Sequence, residues 1–473
     1  MNRAIERRDI DWAALRAELG GVESSDAPAL LRARSKDYHW YSPILAERLQ
    51  GLTAELVVIP RDQDEVRRAA AVIARHRAPL TVRGGGTGNY GQCVPLEGGV
   101  VMDLTRLDRV VEITPGQIRV EAGARIAHID DAAREAGQEL VMYPSTRRVA
   151  TIGGFLAGGS GGVGSLRHGM LRDPGNVTWA RIVTVEPEPQ VIELRGEDVQ
   201  KVHHAYGTNG IVVELVVALT AATDWVHCAA LFDGYAKALR FAMASQGEGL
   251  DCYLLTPVER RFAPYYRRFG DLFPPDRDAV FAMVAPHEVP RFRTLAVKHA
   301  GRTSFAMNAH TLADQRLPPA WECGWNHTTL QALQVDRGWT YLQVAYPHPF
   351  DPDLVQRQME RYGDEVYWHH EMARMGGEVQ IFALPLVRYR GHEAMYRLIA
   401  ELEERDGCTI YDPHVVTIED GGMKEINVAQ IEFKRRADPY GLMNPGKTRG
   451  WTADMAKTDD QSPTTHRRKE ARR

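Results

Sequence analysis

Two glycine-rich stretches constrain the fold of this chain more than any other feature. Residues 83–91 read Arg-Gly-Gly-Gly-Thr-Gly-Asn-Tyr-Gly, and residues 151–164 read Thr-Ile-Gly-Gly-Phe-Leu-Ala-Gly-Gly-Ser-Gly-Gly-Val-Gly. Because each glycine costs backbone entropy on folding, stretches this dense are hard to explain as ordinary turns. Consecutive glycines can aim several backbone N–H groups into one concavity, which suits a pyrophosphate. We therefore expect two loops that hold one flat, phosphorylated ligand.

The sequence around the first loop predicts a mixed α+β half. Residues 55–59 read as a strand ended by Pro60, the acidic run 62–65 opens a helix, and 80–83 reads as a second strand. These elements form a βαβ unit, whose strands should be parallel. Further strands are predicted at 100–104, 110–113, 118–121, 139–142, 179–185 and 210–219.

The first loop also satisfies the pattern G-x-G-x-x-G, through Gly86, Gly88 and Gly91. A Rossmann site needs a helix that opens at the third glycine of this pattern. Pro95 and a glycine pair occupy that segment instead. The sequence therefore disfavours a nicotinamide site of the Rossmann type.

The length of 473 residues predicts two or three domains. We expect a helical lead at 1–45, a first domain at 46–225 and a second domain at 226–404, where glycine becomes rarer and aromatic residues and histidine more common. Residues 405–450 should return to the first domain. The polar tail 451–473 lacks an apolar period, which predicts that it is unfolded.

Charge and composition exclude several classes of protein. Lys and Arg number 58 against 62 Asp and Glu, giving a net charge of −4 that argues against nucleic acid as a main partner. The longest apolar runs, such as 211–219, fall short of the ~18 residues that span a bilayer. With no secretory signal in the N-terminal residues, we expect a cytoplasmic protein without a membrane partner. Five dispersed cysteines without a CxxC pair indicate reduced thiols.

An ordered set of motifs carries a family resemblance. In order these are Pro60, 83–88, Pro144-Ser145, 151–154, 166–169, Arg172-Asp173 and 207–212. Together they resemble the flavin-binding domain of the vanillyl-alcohol-oxidase and p-cresol-methylhydroxylase type. Residues 438–447 are similar to the closing motif of FAD-linked oxidases such as the glycolate oxidase and D-lactate dehydrogenase groups. The resemblance implies an α+β fold, with a two-subdomain FAD-binding domain and an α+β cap of antiparallel sheet and helices over the flavin.

The resemblance also implies where FAD binds. The pyrophosphate is expected on 83–88, and the isoalloxazine near 151–164 and 210–212. The cofactor-binding candidates are Arg83, Gly84, Gly85, Gly86, Thr87, Gly88, Pro144, Ser145, Thr151, Gly153, Gly154, Gly161, Gly162, Gly164, Gly210, Ile211, Val212, Asn444 and Lys447.

Two departures from the family pattern refine this expectation. Relatives with covalent flavin carry His where this chain has Thr87, or Cys in the segment that here reads Ser145-Thr-Arg-Arg148. We therefore expect non-covalent FAD. Members that act on hydroxy acids can hold a metal, but the equivalent run here is Glu419-Asp-Gly-Gly422, which predicts no metal and disfavours a simple 2-hydroxy acid.

Few catalytic side chains are required, because the flavin N5 atom itself accepts the hydride. The protein must place a substrate C–H bond and remove a proton. The candidates for this work are Glu419, Asp420, His414, Tyr411, His327 and Tyr341. Turn carboxylates, a strand-end histidine and core aromatics are the alternative interpretations. His369-His370 with Glu371 is interpreted as a solvated helix face, because neighbouring helical residues point in different directions and no third metal ligand is evident.

The combined prediction is a FAD-dependent oxidoreductase, either an oxidase or a dehydrogenase. It would oxidise an alcohol by hydride transfer to flavin, on a polar or aromatic small molecule, with a hydroxy acid or phenol included. Oxygen or another electron acceptor would reoxidise it. One alternative is an NADPH-using enzyme like the enolpyruvyl-sugar-nucleotide reductases, and another is a flavin-binding electron-relay partner without turnover. The substrate, the base and homo-oligomerisation stay open.

Overall fold

The computed structural model describes residues 10–457. Residues 1–9 of the predicted lead and residues 458–473 of the predicted tail lie outside the described residues. The N-terminal segment contains three short helices and one strand. Its elements are α1 (Trp12–Glu18), β1 (Glu23–Ser25), α2 (Pro28–Arg34) and α3 (Pro43–Arg48).

A four-stranded sheet follows, in the order β1-β2-β4-β3. Its other elements are β2 (Leu56–Ile59), α4 (Gln63–Arg75), β3 (Leu80–Arg83) and β4 (Val100–Asp103). Strands β2 and β3 are parallel, as predicted, but each pairs with β4, which lies between them. Asp62 caps α4 by accepting the N–H of Glu65, and the apolar face of this helix packs on the sheet. The first glycine loop begins where β3 ends.

The second sheet has the order β5-β6-β10-β8-β9, and β7 also pairs with β10. The elements of this part are β5 (Val110–Thr114), β6 (Gln117–Glu121), α5 (Ile126–Glu135), β7 (Gln138–Leu140), α6 (Ile152–Gly158), α7 (Ser165–His168), β8 (Val177–Val183), β9 (Val191–Arg195) and β10 (Ile211–Ala221). Strand β10 joins two cores. Ile211 and Val213 pack with the first sheet, whereas Leu215 and Val217 pack in the core of the second.

The next part of the chain contains three further sheets. A four-stranded antiparallel sheet has the order β12-β13-β11-β14, and two smaller sheets have the orders β15-β20-β17 and β18-β19-β16-β21. The elements are β11 (Val226–Phe232), α8 (Tyr235–Gly247), β12 (Cys252–Val258), β13 (Asp278–Val284), α9 (Val289–Lys298), β14 (Arg302–Met307), α10 (Ala309–Asp314), α11 (Trp325–Val335), β15 (Trp339–Tyr341), β16 (Val344–Ala345), α12 (Pro352–Tyr362), β17 (Val366–Tyr367), β18 (His370–Met375), β19 (Glu378–Ala383), β20 (Leu386–Arg388), α13 (His392–Glu404) and β21 (Thr409–Ile410). We call residues 226–411 the cap.

After the cap, the chain contacts the first sheet again. Helix α14 (Val428–Ala437) precedes a segment in which Leu442 accepts a 2.8 Å hydrogen bond from the N–H of Leu80, and Met443 forms a parallel bridge with Leu80. Short 3-10 turns occupy His39–Tyr41, Gly196–Lys201, Arg260–Tyr265, Arg267–Leu272, Pro286–Glu288, Ala320–Cys323, Gly363–Glu365 and Ala453–Met455. Between residues 10 and 457, no helix is both long and apolar enough to cross a bilayer.

The interpretation of His369-His370-Glu371 as a solvated helix face is wrong. His370 and Glu371 begin strand β18, and all three side chains are completely buried. Alternation along this strand would place one face inward, but both faces are covered. The His370 ring packs against those of Tyr235 and Tyr346, and on the opposite face Glu371 accepts hydrogen bonds from Thr256 and Trp325. No cluster of His, Cys, Asp and Glu suited to a metal ion occurs in the described part of the chain. All five cysteines are free thiols, and four are buried.

Candidate active site

The two glycine stretches and the cap enclose one cavity of about 280 Å³. Most of the predicted cofactor-binding residues line it. They are Arg83, Gly84, Gly85, Gly86, Thr87, Gly88, Pro144, Ser145, Thr151, Gly153, Gly154, Gly161, Gly162, Gly210 and Val212. The structure therefore brings together residues that are far apart in the sequence.

The first glycine loop offers unused hydrogen-bond donors to this cavity. Within the described part of the chain, the backbone N–H groups of residues 85–89 donate to no backbone carbonyl. Buried N–H groups are normally paired, so a row of free donors fits an anion such as the FAD diphosphate. Gly86 has a φ of 64°, a conformation that a residue with a side chain rarely adopts.

The two stretches approach each other more closely than side chains would allow. A Cβ atom on Gly84 would overlap the Thr151 hydroxyl, and one on Gly85 would overlap the carbonyl oxygen of Val149. The hydroxyls of Thr87 and Thr146 lie 3.4 Å apart across the same contact. The absence of side chains at Gly84 and Gly85 thus allows the two stretches to come into contact at the edge of the cavity.

The N-terminal segment supports the first loop from behind, which sequence reasoning missed. Tyr38 donates its backbone N–H to the carbonyl of Gly88 at 2.7 Å. The buried carboxylate of Asp37 accepts the N–H of His39 at 3.0 Å and that of Cys93 at 3.3 Å. The guanidinium of Arg83 donates to the carbonyls of residues 34 and 36. This segment gave no local signal, because its role depends on contacts with distant residues.

Four predicted cofactor residues lie outside the lining of the cavity. Asn444 donates to the carbonyls of Gln92 and Tyr206, and Lys447 donates to the carbonyl of Gly91, so both hold the walls of the cavity. Complete burial lowers the pKa of Lys447 to about 8. Gly164 packs against the backbone of residues 141–142, and Ile211 lies in the apolar core.

Among the predicted catalytic residues, Tyr411 lines the cavity, and the other five lie outside its lining. The imidazole of His414 is buried with Nδ1 2.7 Å from Ser42 Oγ, and burial lowers its pKa to about 3. Tyr341 is fully buried, with its ring 5.9 Å from that of Tyr41. His327 packs edge-on against Trp321 at 5.9 Å.

The two acidic candidates hold the C-terminal turn. Glu419 accepts hydrogen bonds from the Thr448 hydroxyl and from the backbone N–H groups of Arg449 and Gly450, both at 3.0 Å. Asp420 forms an ion pair with Arg449 at 2.9 Å. Both carboxylates thus have structural partners, and the catalytic role of each candidate stays a prediction.

His204 and Tyr206 line the cavity, and the sequence analysis did not select them. Both adopt left-handed backbone conformations, with φ of 48° and 50°. His204 Nδ1 lies 3.0 Å from the carbonyl oxygen of Gly159, so this nitrogen carries the proton and Nε2 is an acceptor. Burial lowers the pKa of His204 to about 4, so its ring is neutral at pH 7. The His203-His204 doublet just before the motif 207–212 was the available signal.

The buried Glu371 carboxylate positions part of the cap wall. Its Oε1 atom accepts the backbone N–H of Trp325 at 2.6 Å and the Thr256 hydroxyl at 2.8 Å. His369 Nε2 lies 3.4 Å from the same oxygen. Trp325 has a φ of 51°, a strained value for a residue with a side chain, and it lines the cavity next to Asn326. This hydrogen bond therefore fixes the start of α11 at the cavity.

The fold and this cavity define a class of protein: an α+β protein that holds a nucleotide cofactor between two glycine loops and a cap. Residues 54–194 match a family model described as an FAD binding domain. The chain thus carries an FAD-binding domain of the vanillyl-alcohol-oxidase and p-cresol-methylhydroxylase type, and FAD is its cofactor. These two predictions from the sequence are confirmed.

Individual relatives match about a third of the chain. The glycolate oxidase subunit GlcD of Bacillus subtilis is 29% identical over 174 residues, which cover 35% of this chain and 37% of the relative. A D-lactate dehydrogenase of Anaerostipes hadrus is 26% identical over 183 residues, covering 36% of this chain and 37% of the relative. The chain thus spans little more than a third of the length of these curated relatives.

The whole fold matches solved structures. An alkyldihydroxyacetonephosphate synthase superposes with a TM-score of 0.70 at 14% identity, over 94% of this chain and 87% of that one. This likeness confirms the predicted α+β fold class.

Proposed function

We propose that the protein is a FAD-dependent oxidoreductase that oxidises an alcohol of a small molecule. A single observation carries this proposal: one cavity is lined both by the first glycine loop, with its free amides, and by side chains of the cap. A protein that only stored flavin would need no enclosed space next to it. The relatives named as glycolate oxidase and D-lactate dehydrogenase support oxidation of a hydroxyl group.

Bound FAD would supply the hydride acceptor for the substrate C–H bond. The amides of residues 85–89 would bind its diphosphate, and the glycine-lined walls would let its flat ring lie against backbone. The apolar cap residues Met375 and Phe382 would exclude water from the reacting atoms. Tyr411 would orient the substrate hydroxyl by a hydrogen bond.

We propose further that FAD is held without a covalent bond. Thr87 stands at one position where relatives carry the residue that forms a covalent bond to the flavin. Among the cysteines of the described residues 10–457, Cys93 lines the cavity. Burial raises the pKa of Cys93 to about 11, so this residue is a thiol at neutral pH. A thiol is a poor nucleophile compared with a thiolate, which disfavours attachment of the flavin.

The test is an anaerobic reduction experiment on the purified holoprotein. Gentle denaturation should release a yellow supernatant identified as FAD, and a panel of alcohols, phenols and hydroxy acids should contain members that bleach the flavin. Bleaching by NADPH but by no alcohol would favour the reductase alternative and overturn the proposal. Reduced enzyme mixed with oxygen or with a dye then shows which acceptor reoxidises it.

A pair of tyrosine variants tests the role of Tyr411. Tyr411→Phe should lower the rate of flavin reduction about 10- to 100-fold, because loss of the hydrogen bond that orients the substrate costs about 1–3 kcal/mol. Tyr389→Phe removes a hydroxyl from a cap residue that does not line the cavity, and it should reduce flavin like the parent protein. Equal rates for all three proteins would remove Tyr411 from the mechanism.

A further inference from the structure

The cap wall of the cavity carries no charged side chain among the described residues. It is formed by Trp325, Asn326, Gln343, Val344, Met375, Phe382, Ala383, Leu384 and Tyr411. The two cations that line the cavity, Arg83 and Arg172, both precede the cap in the sequence. The Arg83 guanidinium is bound by backbone carbonyls, and Arg172 is exposed to solvent. An anionic group bound against the cap wall would therefore find no charged partner on the wall itself.

Two residues of this wall instead carry neutral polar atoms without partners. The indole Nε1–H of Trp325 and the side-chain oxygen of Asn326 are both buried and form no hydrogen bond in the described structure. One is a donor and the other an acceptor, as a hydroxyl or a carbonyl-bearing group would require. A buried polar atom without a partner costs about 1–3 kcal/mol, so a ligand that pairs with both atoms recovers this energy.

The same wall is fixed in place and is otherwise apolar. Glu371 accepts the backbone N–H of Trp325, and this contact fixes the backbone from which the indole extends. Met170, Phe382 and neighbouring small residues form an apolar cluster, against which Trp325, Met375 and Tyr411 pack. These side chains offer contact to an aliphatic or aromatic body rather than to a small charged acid.

We propose that the cap wall selects an uncharged alcohol with an apolar body, and that Trp325 and Asn326 bind its polar group. This proposal rests on the proposed function and names its substrate class. A substrate with a free carboxylate next to the carbinol carbon should be discriminated against, because burying an unpaired carboxylate costs several kcal/mol. We expect the second-order rate constant of flavin reduction to be at least about 100-fold lower for such an acid than for its neutral ester.

Matched substrate pairs test this proposal on the holoprotein. Mandelate and methyl mandelate, and lactate and methyl lactate, share a reacting carbon and differ in the charge beside it. Anaerobic stopped-flow gives the reduction rate for each. Perturbation of the flavin spectrum gives the affinity of the unreactive pair, phenylacetate and methyl phenylacetate. Faster reduction by the esters, with tighter binding of methyl phenylacetate, supports the proposal.

Three other outcomes are informative. Acids that reduce the flavin as fast as their esters, or bind as tightly, overturn this inference and leave the proposed function intact. Absence of binding by every neutral compound also overturns it. Failure of every alcohol in the larger panel to reduce the flavin contradicts the proposed function itself, so the two failures are distinguishable.

Variants on helix α11 test the two recognition residues. Asn326→Leu and Trp325→Phe should each raise the KM for the ester at least about fivefold and leave the FAD content unchanged. Gln334→Leu, at an exposed position of the same helix, is the control. Met375→Arg places a cation on the wall and should narrow the acid-to-ester difference about tenfold. If KM is unchanged in both recognition variants, these residues do not bind the substrate.

Discussion

Gly85→Ala is the substitution that tests the flavin loop most directly. A Cβ atom at this position would overlap the carbonyl oxygen of Val149 and would lie 3.0 Å from its carbonyl carbon and 3.2 Å from the Cα atom of Ala150. These atoms belong to backbone, so neither can rotate away, and the two walls of the cavity must separate. Overpacking of this kind costs about 1–3 kcal/mol.

The cost should fall on FAD binding, because separated walls no longer place the loop amides and the second glycine stretch at the distances that the cofactor requires. Because about 1.4 kcal/mol corresponds to a tenfold change in Kd, the dissociation constant of FAD should rise roughly 5- to 150-fold. Titration of apoprotein with FAD, followed by quenching of flavin fluorescence, measures this change. Gly247→Ala is the matched control, since no atom lies within 4 Å of the added Cβ atom. An unchanged Kd in Gly85→Ala, with both apoproteins folded, would refute the assignment of this loop.

Three further predictions follow from contacts around the cavity. Asp37→Ala should raise the Kd of FAD at least about fivefold, because buried N–H groups behind the loop lose their acceptor. Asp26→Ala, at an exposed position, should leave this Kd unchanged. Equal Kd values for the two variants in a fluorescence titration would contradict the role of Asp37. Burial lowers the pKa of Lys447 from 10.5 to about 8, so the unfolded chain binds the proton more tightly and stability should rise with pH between those values. Lys447→Met should reduce that rise in urea unfolding, and an unchanged slope would argue against it. Glu371→Ala should raise the KM for substrate, because the backbone N–H of Trp325 loses its acceptor. Glu371→Gln keeps an acceptor and should change the KM less. If Glu371→Ala also loses affinity for FAD, misfolding explains the effect instead.

The flavin end of the cavity could be predicted from the sequence because its constraints are local. Gly84 and Gly85 directly follow a recognisable strand, at positions where a side chain would collide with neighbouring atoms. Gly153, in the second glycine stretch, lies at a position of the same kind. Each requirement is visible in the identity of one residue. The contribution of Asp37 was not predictable, because its acceptor role for the N–H of Cys93 joins residues that only the tertiary fold brings together.

The catalytic candidates show a different limit. Tyr411 and His414 are three residues apart, yet one lines the cavity and the other is buried against Ser42. The chain turns between them, where Asp412 accepts the backbone N–H of His414 at 2.8 Å. Strand β21 has only two residues, Thr409 and Ile410, so no period in the sequence fixes which side chain after it faces inward. His370 was misassigned for a related reason, because strands covered on both faces lack the alternation that identifies a strand.

This contrast explains why the cofactor was predictable and the substrate was not. Diphosphate binding requires backbone N–H groups and the absence of side chains, and both properties are written as runs of glycine. In our proposal, substrate selection would depend on cap side chains such as Trp325, Gln343 and Phe382, which come from different parts of the chain. A shift of one residue in the register of a short cap strand would replace the side chains of the cap wall and leave every glycine motif unchanged. Proteins that share the flavin loops should therefore differ in substrate charge according to their cap walls, and the charge of that wall is the property to compare first.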